Sequence, residues 1–164
     1  MLRIFMCIVL VVSSTFLGNW FSLKLLRRCE DLFSIIEAIQ KIKTYINFGG
    51  YEICRVIALS FVSKEKFKAF TETEGNENFM MWWEKCVTYI SKTTALNKGD
   101  LELLNQFGEN LGVTDIEGQI SNCELYTKLF EERLNEAKLM ENKNVRLYRI
   151  LGFSLGCTVG LIVL

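Results

Sequence analysis

The chain contains no histidine and no proline among its 164 residues. Without histidine, the serine–histidine and cysteine–histidine pairs that activate many enzyme nucleophiles cannot form. Zinc sites that use histidine are excluded for the same reason, and no two cysteines have the CxxC spacing of a cysteine-based site. The absence of proline removes the strongest helix breaker, so long uninterrupted helices are permitted.

Other signatures of enzyme chemistry are missing as well. The adjacent glycines Gly49 and Gly50 lack the lysine and serine that would follow them in a phosphate-binding loop. Glu131, Glu132 and Glu136 resemble a carboxylate cluster but lack the ExxH partner that helical di-metal sites use. We therefore predict no catalytic residue, no metal and no cofactor. A membrane-tethered enzyme is left as an alternative only if such carboxylates bind a metal.

The net charge is zero, from 19 basic and 19 acidic side chains. Binding of nucleic-acid phosphates requires a basic surface, so we expect no nucleic-acid partner. The charges are unevenly distributed, because residues 100–141 hold ten acidic side chains against three basic ones. These acids are either ordinary solvated helix faces or a patch that binds a basic partner.

Two apolar segments without charge lie near the ends of the sequence, at residues 4–23 and 150–164. A bilayer core of ~30 Å needs about 20 apolar residues of helix, so the first segment is long enough to span it. The second is long enough only if residues 147 and 148 join it while neighbouring arginines reach to the interface. We predict transmembrane helices at 1–26 and 147–164 around a central domain at 27–146. A cleaved signal peptide is the alternative for the first segment.

Basic residues flank both segments on the side of the central domain. By the positive-inside rule, this predicts a two-pass protein of the cell membrane whose central domain is cytoplasmic and whose ends lie outside. The residues that set this orientation are Lys24, Arg27, Arg28, Arg146 and Arg149.

Gly152, Gly156 and Gly160 recur every four residues in the second apolar segment. Small residues at this spacing let membrane helices approach closely, which favours packing against another helix. The packed neighbour is either the first segment or a second copy of the chain, so a homo-oligomer is one alternative. The other interpretation is that glycine is common in membrane helices.

Apolar residues in the central domain recur every three or four positions, which is typical of amphipathic helices, and no segment has the alternation of a strand. We predict an all-α fold, an antiparallel helical bundle flanked by the two transmembrane helices. The predicted apolar stripes cover 32–46, 53–61, 79–90 and 101–111, followed by a long helix from residue 116 into the second apolar segment. Four cysteines of the domain are expected to be free, mostly buried thiols in a reducing compartment.

Residues at the predicted helix ends refine this pattern. Asn76 is predicted to cap the third helix, and residues 97–99 to separate the third from the fourth. Gly112 is predicted to end the fourth helix in the left-handed conformation. Thr114 and Glu117 match a capping box. In it the threonine hydroxyl accepts a hydrogen bond from the backbone amide of N3, and the glutamate side chain accepts one from the backbone amide of the N-cap.

The central sequence resembles the stage III sporulation protein AB family of endospore-forming bacteria. The resemblance rests on ALNKGD at 95–100 and FGENLG at 107–112, supported by INFG at 46–49 and Trp83-Glu84. One departure is that the family usually carries Thr-Pro soon after the glycine matching Gly49, a proline that pre-sets the next helix. The family motif residues are Phe107, Gly108, Leu111, Gly112, Asp115 and Gln119, and Thr114 and Glu117 of the predicted capping box lie within the same block.

The resemblance implies a protein of the mother-cell membrane around the forespore, in the channel complex that joins the two cells. It implies a cytoplasmic domain similar to the F-protein domain of type II secretion systems. The implied partners are a cytosolic secretion-type ATPase and the other membrane and ring components of the channel.

We therefore expect a non-enzymatic membrane platform that links the ATPase to the trans-envelope assembly. The alternative is a structural anchor or oligomerising scaffold that acts mainly through its transmembrane helices. If exposed residues of the motif region bind the ATPase, the candidates are Glu102, Gln106 and Glu109.

Overall fold

The computed structural model describes residues 2–49, 52–62, 65–71 and 78–163, with the helical backbone alone described at 2–22 and 144–163. Every regular element in these ranges is helical, so the all-α prediction is confirmed. The α-helices are α1 (Leu2–Phe48), α2 (Ile53–Phe61), α3 (Phe79–Thr93), α4 (Lys98–Asn110) and α5 (Ile116–Val163). A short 3₁₀ segment, Glu65–Phe70, lies between α2 and α3.

The two longest helices, α1 and α5, form an antiparallel pair that is the spine of the fold. Their register is set by contacts between Lys43 Nζ and Glu124 Oε1 at 2.6 Å and between Cys29 Sγ and Glu141 Oε2 at 4.0 Å. Single helices gain most of their stability from such packing rather than from propensity. The buried faces of the pair carry Leu32, Ile35, Ile39 and Ile42 from α1 and Cys123, Phe130, Leu134 and Ala137 from α5.

A glycine ends α1. Gly49 has φ +74° and donates its amide to Tyr45 O at 3.2 Å, which is a left-handed helix stop. A Cβ added to Gly49 would meet no atom within 4 Å, so the glycine is needed for its backbone conformation and not for space.

The short helices pack across the spine and enclose an aromatic cluster. Helix α2 contacts α1, α3 contacts the 3₁₀ segment and α4, and α4 contacts α5. Phe61 stacks on Phe70 with ring centroids 4.5 Å apart, and Phe70 lies 4.9 Å from Trp83. The 3₁₀ segment was not predicted, because its six residues are too few to display a helical period. Its two phenylalanines are nevertheless fully buried.

The predicted caps of α3 and α5 are wrong by one or two residues. Asn78 caps α3 by accepting from the Met80 amide at 3.1 Å, because the N-cap must directly precede the first helical residue. The predicted cap, Asn76, lies outside the described residues. In α5 it is Asp115, not Thr114, that accepts the N3 amide, from Gly118 at 2.9 Å. Since N3 is a glycine, it has no side chain to accept a hydrogen bond from the N-cap amide. The predicted capping box with Glu117 therefore does not form.

The boundary before α4 also differs from the prediction. Residues 97–99 were expected to be a break, but α4 already begins at Lys98. Asn97 is the N-cap, and it forms a reciprocal capping box with Asp100. Gly112, with φ +79°, follows the helix end, which confirms the predicted left-handed stop.

Within the residues whose side chains are described, no helix is long and apolar enough to cross a bilayer. The predicted transmembrane segments 1–26 and 147–164 lie outside those residues, except for positions 23–26. Arg146, Arg149 and the glycine ridge at 152–160 lie outside them as well. The predicted domain boundaries and membrane orientation therefore remain predictions.

Candidate functional site

Helix α4 presents one face to the interior and the opposite face to solvent. Leu104, Phe107 and Gly108 are buried on the inner face. The three residues predicted to bind a partner share the outer face, since their spacing of four and three brings them together on a helix. Within the described part of the chain, no hydrogen bond or ion pair engages their side chains. They are Glu102, Gln106 and Glu109, and all three are exposed.

The beginning of α4 is held by a buried ion pair with α1. Asp100 is 0% exposed, and Arg28 donates to it twice, from Nε at 2.8 Å and from Nη2 at 2.9 Å. The same carboxylate accepts from the Asn97 amide at 2.9 Å as part of the capping box. One aspartate thus closes the first turn of α4 and fixes that turn to α1.

This pairing explains how two charges are tolerated in the core. A buried charge is costly unless it is paired and its remaining hydrogen-bonding positions are filled. Hydrogen bonding to Asp100 raises the pKa of Arg28, so the guanidinium stays charged. Arg28 is one of the basic residues predicted from the sequence to orient the membrane helices. In the structure this arginine is buried within the domain, whereas Lys24 and Arg27 are exposed.

A second buried acid on α1 holds the segment before α4. Asp31 accepts from the Ala95 amide at 2.7 Å and from Lys66 Nζ at 2.9 Å. It lies three residues after Arg28, about one helical turn further along α1. The approach to α4 is therefore tied to α1 at two points. Neither tie was predicted, although an acid beside the apolar stripe that starts at Leu32 is a usable signal.

Helix α4 approaches α3 closely at Gly108. The Trp83 indole donates to Leu104 O at 3.2 Å and lies over the glycine. A Cβ at Gly108 would come within 2.2 Å of the indole nitrogen, so a larger residue does not fit. Gly108 therefore allows the close approach of the two helices. Phe107 completes this contact, with its ring 6.1 Å from that of Trp83 and 5.3 Å from that of Tyr126.

The turn from α4 into α5, here called the α4–α5 corner (residues 111–118), is held from inside by Gln119. Its Nε2 donates to Thr114 Oγ1 at 3.2 Å and lies 3.4 Å from the carbonyl oxygens of Asn110 and Thr114. Leu111 is buried beneath the turn. Gly118 is a further requirement that was not predicted, since a Cβ there would lie 2.6 Å from Thr114 Oγ1.

The motif region thus separates into two groups. The motif residues that pack within the fold are buried. The other motif residues are exposed and are therefore accessible to another molecule. The buried members are Phe107, Gly108, Leu111 and Gln119, and the exposed members are Gly112, Thr114, Asp115 and Glu117.

The described residues offer little nucleophile or metal chemistry. They contain no group of three or more His, Cys, Asp or Glu side chains that could hold a metal ion. The four cysteines described are free. Burial raises the pKa of the Cys123 thiol to about 11, so this thiol is protonated at neutral pH. Burial and the charge of Glu141 also raise the pKa of Cys29.

The fold and this site define an all-α domain whose candidate site is an exposed helix face. The family model of stage III sporulation protein AB matches residues 3–164, and the chain belongs to this family. The resemblance stated from the sequence is thereby confirmed. Family membership gives the chain a role in sporulation.

Two relatives agree with this assignment. The chain is 24% identical over 173 residues to stage III sporulation protein AB of Bacillus subtilis (strain 168), with 100% of each covered. A solved structure of stage III sporulation protein AB matches with a TM-score of 0.61 and 23% identity. That match covers 71% of this chain and 98% of the other, and it supports the helical fold.

Proposed function

We propose that the protein is a non-enzymatic membrane platform of the channel complex between mother cell and forespore. In this role it links a cytosolic secretion-type ATPase to the trans-envelope assembly, whose other membrane and ring components are further partners. The proposal rests on one observation above all. An exposed face of α4, whose side chains have no partner among the described residues, is joined to helix α1 through Asp100 and Arg28.

The proposed location is the mother-cell membrane around the forespore. Residues 1–26 and 147–164 supply two transmembrane helices, and residues 27–146 form a cytoplasmic domain that resembles the F-protein domain of type II secretion. The flanking bases Lys24 and Arg27 support this orientation. Further support is that α1 and α5 each run without a break from an apolar segment into the domain.

A platform must pass a force from its cytosolic partner to its anchors. A partner that pulls on α4 would also pull on α1, because Arg28 and Asp31 hold both ends of residues 95–100. A packed helix resists bending and compression, so displacement of α1 at this point would continue along its axis. The domain then acts as a lever and needs no chemistry of its own.

The decisive test is capture of the cytosolic secretion-type ATPase of the same complex by the full-length protein in lipid nanodiscs. The variant Glu102→Lys/Glu109→Lys reverses two exposed charges on the α4 face, and we expect capture to fall at least about tenfold. Thermal melting should not change, because neither side chain has a partner in the described fold. Glu131→Lys/Glu132→Lys is the matched control, since it makes the same charge change at two exposed positions of α5.

The outcome separates the platform from the scaffold alternative. Normal capture by the α4 variant would show that the ATPase does not bind the α4 face. Absence of capture by the wild type would show that the ATPase is not a partner. The scaffold alternative is favoured by the glycine ridge of the second apolar segment. Gly156→Leu/Gly160→Leu should abolish assembly in the membrane if the protein is mainly a scaffold. A platform would still capture the ATPase with these changes.

A further inference from the structure

Three large apolar side chains are exposed at one end of the α1–α5 pair, the end where α1 stops and α5 begins. Phe48 is 80% exposed, Val113 is 72% exposed and Ile116 is 58% exposed. The contact between Lys43 and Glu124 places the end of α1 beside the first turns of α5. We call Phe48, Val113 and Ile116 the apolar tip.

The fold itself does not require these side chains. Val113 lies in the α4–α5 corner between Gly112, which makes the turn, and Thr114, which binds Gln119. Ile116 begins α5 on the face that carries Cys123 and Phe130, but it lies two turns before Cys123 and is 58% exposed. Single exposed apolar residues are ordinary, whereas several at one end of a domain typically mark an interaction surface.

The charges around the corner indicate what kind of surface would cover it. Residues 99–127 contain six acidic side chains and not one lysine or arginine. Two of the acids are neutralised within the fold, Asp100 by Arg28 and Glu124 by Lys43. The other four have no ion-pair partner within the described ranges, and they are Glu102, Glu109, Asp115 and Glu117.

These acids lie along the sequence on both sides of the apolar residues. Glu109 lies in the last turn of α4, shortly before Val113, and Asp115 and Glu117 flank Ile116 directly. An apolar centre within a polar rim is the usual arrangement of a protein–protein interface, in which the centre supplies most of the binding energy. A lipid surface rich in anionic headgroups would be repelled by the same rim.

We propose that the apolar tip and its acidic rim are a docking surface for a basic protein surface that carries an apolar pocket. Val113 and Ile116 enter the pocket, and the carboxylates of Glu109, Asp115 and Glu117 meet lysine or arginine side chains around it. The inference rests on the proposed function for the identity of its occupant, the ATPase. It moves the energetic centre of that interface from the α4 face to the corner.

The test uses full-length protein in nanodiscs and the cytosolic secretion-type ATPase of the same complex as the probe. Val113→Ser/Ile116→Ser removes the apolar centre, and we expect affinity to fall at least about tenfold with an unchanged salt dependence. Asp115→Asn/Glu117→Gln removes two rim charges, and affinity should then vary less with salt between 50 and 300 mM. Leu139→Ser/Met140→Ser is the matched control, since Leu139 is 71% exposed on the same helix but away from the corner.

Each result has a distinct meaning. If Val113→Ser/Ile116→Ser binds the ATPase with wild-type affinity while Glu102→Lys/Glu109→Lys still loses capture, the apolar tip is not the docking surface. The proposed platform function would stand. An equal loss of ATPase affinity in the Leu139→Ser/Met140→Ser control would also show that the apolar tip is not the docking surface. If the tip variant instead loses self-association by mass photometry while ATPase affinity is kept, the occupant is a second copy and the proposal is wrong. Should the double variant melt early, the isosteric Val113→Thr gives the same comparison with less change to the fold.

Discussion

At the scale of single residues, Gly108 and Trp83 together decide how closely α3 and α4 approach. The indole occupies the space where any other residue at position 108 would place its Cβ. It also donates to Leu104 O, so the ring is fixed in orientation. This contact lies directly beneath the outer face of α4, and the geometry of that face therefore depends on it.

Gly108→Ala should destabilise the domain by about 1–3 kcal/mol, because overpacking displaces the indole and its hydrogen bond. Denaturant unfolding followed by tryptophan fluorescence measures the change. Gly99→Ala is the control in the same helix, since a Cβ there would meet Asn97 Oδ1 at an ordinary 3.4 Å. That variant should be neutral or slightly more stable. Equal effects of the two changes would contradict the assigned role of Gly108.

Cys123 gives a second residue-scale prediction through its buried thiol. Burial raises its pKa from 9.0 to about 11, so above pH 9 the unfolded chain loses this proton before the folded chain does. The thiol therefore costs no stability below pH 9, and its contribution falls as the pH rises toward 11. Relative to Cys123→Ala, the wild-type free energy of unfolding should decrease by up to about 3 kcal/mol over this interval.

Comparison of the two proteins cancels the other groups that titrate in this range. A constant difference between pH 8 and pH 11 would show that the thiol is not protected by burial. Site-resolved alkylation gives an independent reading, since Cys123 should react more slowly than the half-buried Cys54 at pH 8.

At the scale of elements, α4 is attached to the fold by its first turn. Asp100 is both a member of the capping box and the partner of Arg28. The helix itself is only 13 residues long, too short to be stable alone in water. Its position therefore depends on α1, α3 and α5 more than on its own sequence.

Asp100→Asn should destabilise the domain by about 3–5 kcal/mol, because it leaves the Arg28 charge buried without a counter-ion. The double variant Arg28→Met/Asp100→Leu should be more stable than Asp100→Asn, since it leaves no unpaired charge. A double-mutant cycle by chemical denaturation measures the coupling. Lys43→Gln/Glu124→Gln is the control, and loss of this exposed pair should change stability little. Additive effects of changes at Arg28 and Asp100 would rule out the coupling.

The elements differ in how well the sequence predicts them. The stops at Gly49 and Gly112 were predictable, because a left-handed residue at a helix end is a local requirement that glycine meets. The apolar stripes of α1 and α5 were predictable from their period. The pair of Arg28 with Asp100 was not, since it joins residues 72 positions apart and leaves no local pattern. The caps were predicted at the wrong residues because several cap-forming residues lie close together in the sequence. Only the position of the first helical residue determines which of them is the N-cap.

At the scale of the whole molecule, the candidate site was only partly predictable. The family motif identified the α4 region, and the spacing of Glu102, Gln106 and Glu109 placed them on one face. Which motif residues are buried could not be read from the motif, because burial of Gln119 depends on how the corner folds back on Thr114. The exposure of Val113 and Ile116 was missed for the same reason.

The antiparallel pairing of α1 with α5 also has a consequence for the order of synthesis. Helix α1 is made first, but its buried face meets Asp100, Cys123 and Phe130, which are made much later. Contacts between residues so distant in sequence form slowly. Apolar surface that stays exposed until they form is prone to aggregation. We expect the domain to remain unfolded on the ribosome until most of α5 has emerged, with Leu32 to Ile42 uncovered throughout. A chain that stops before residue 123 would leave that surface without its natural cover.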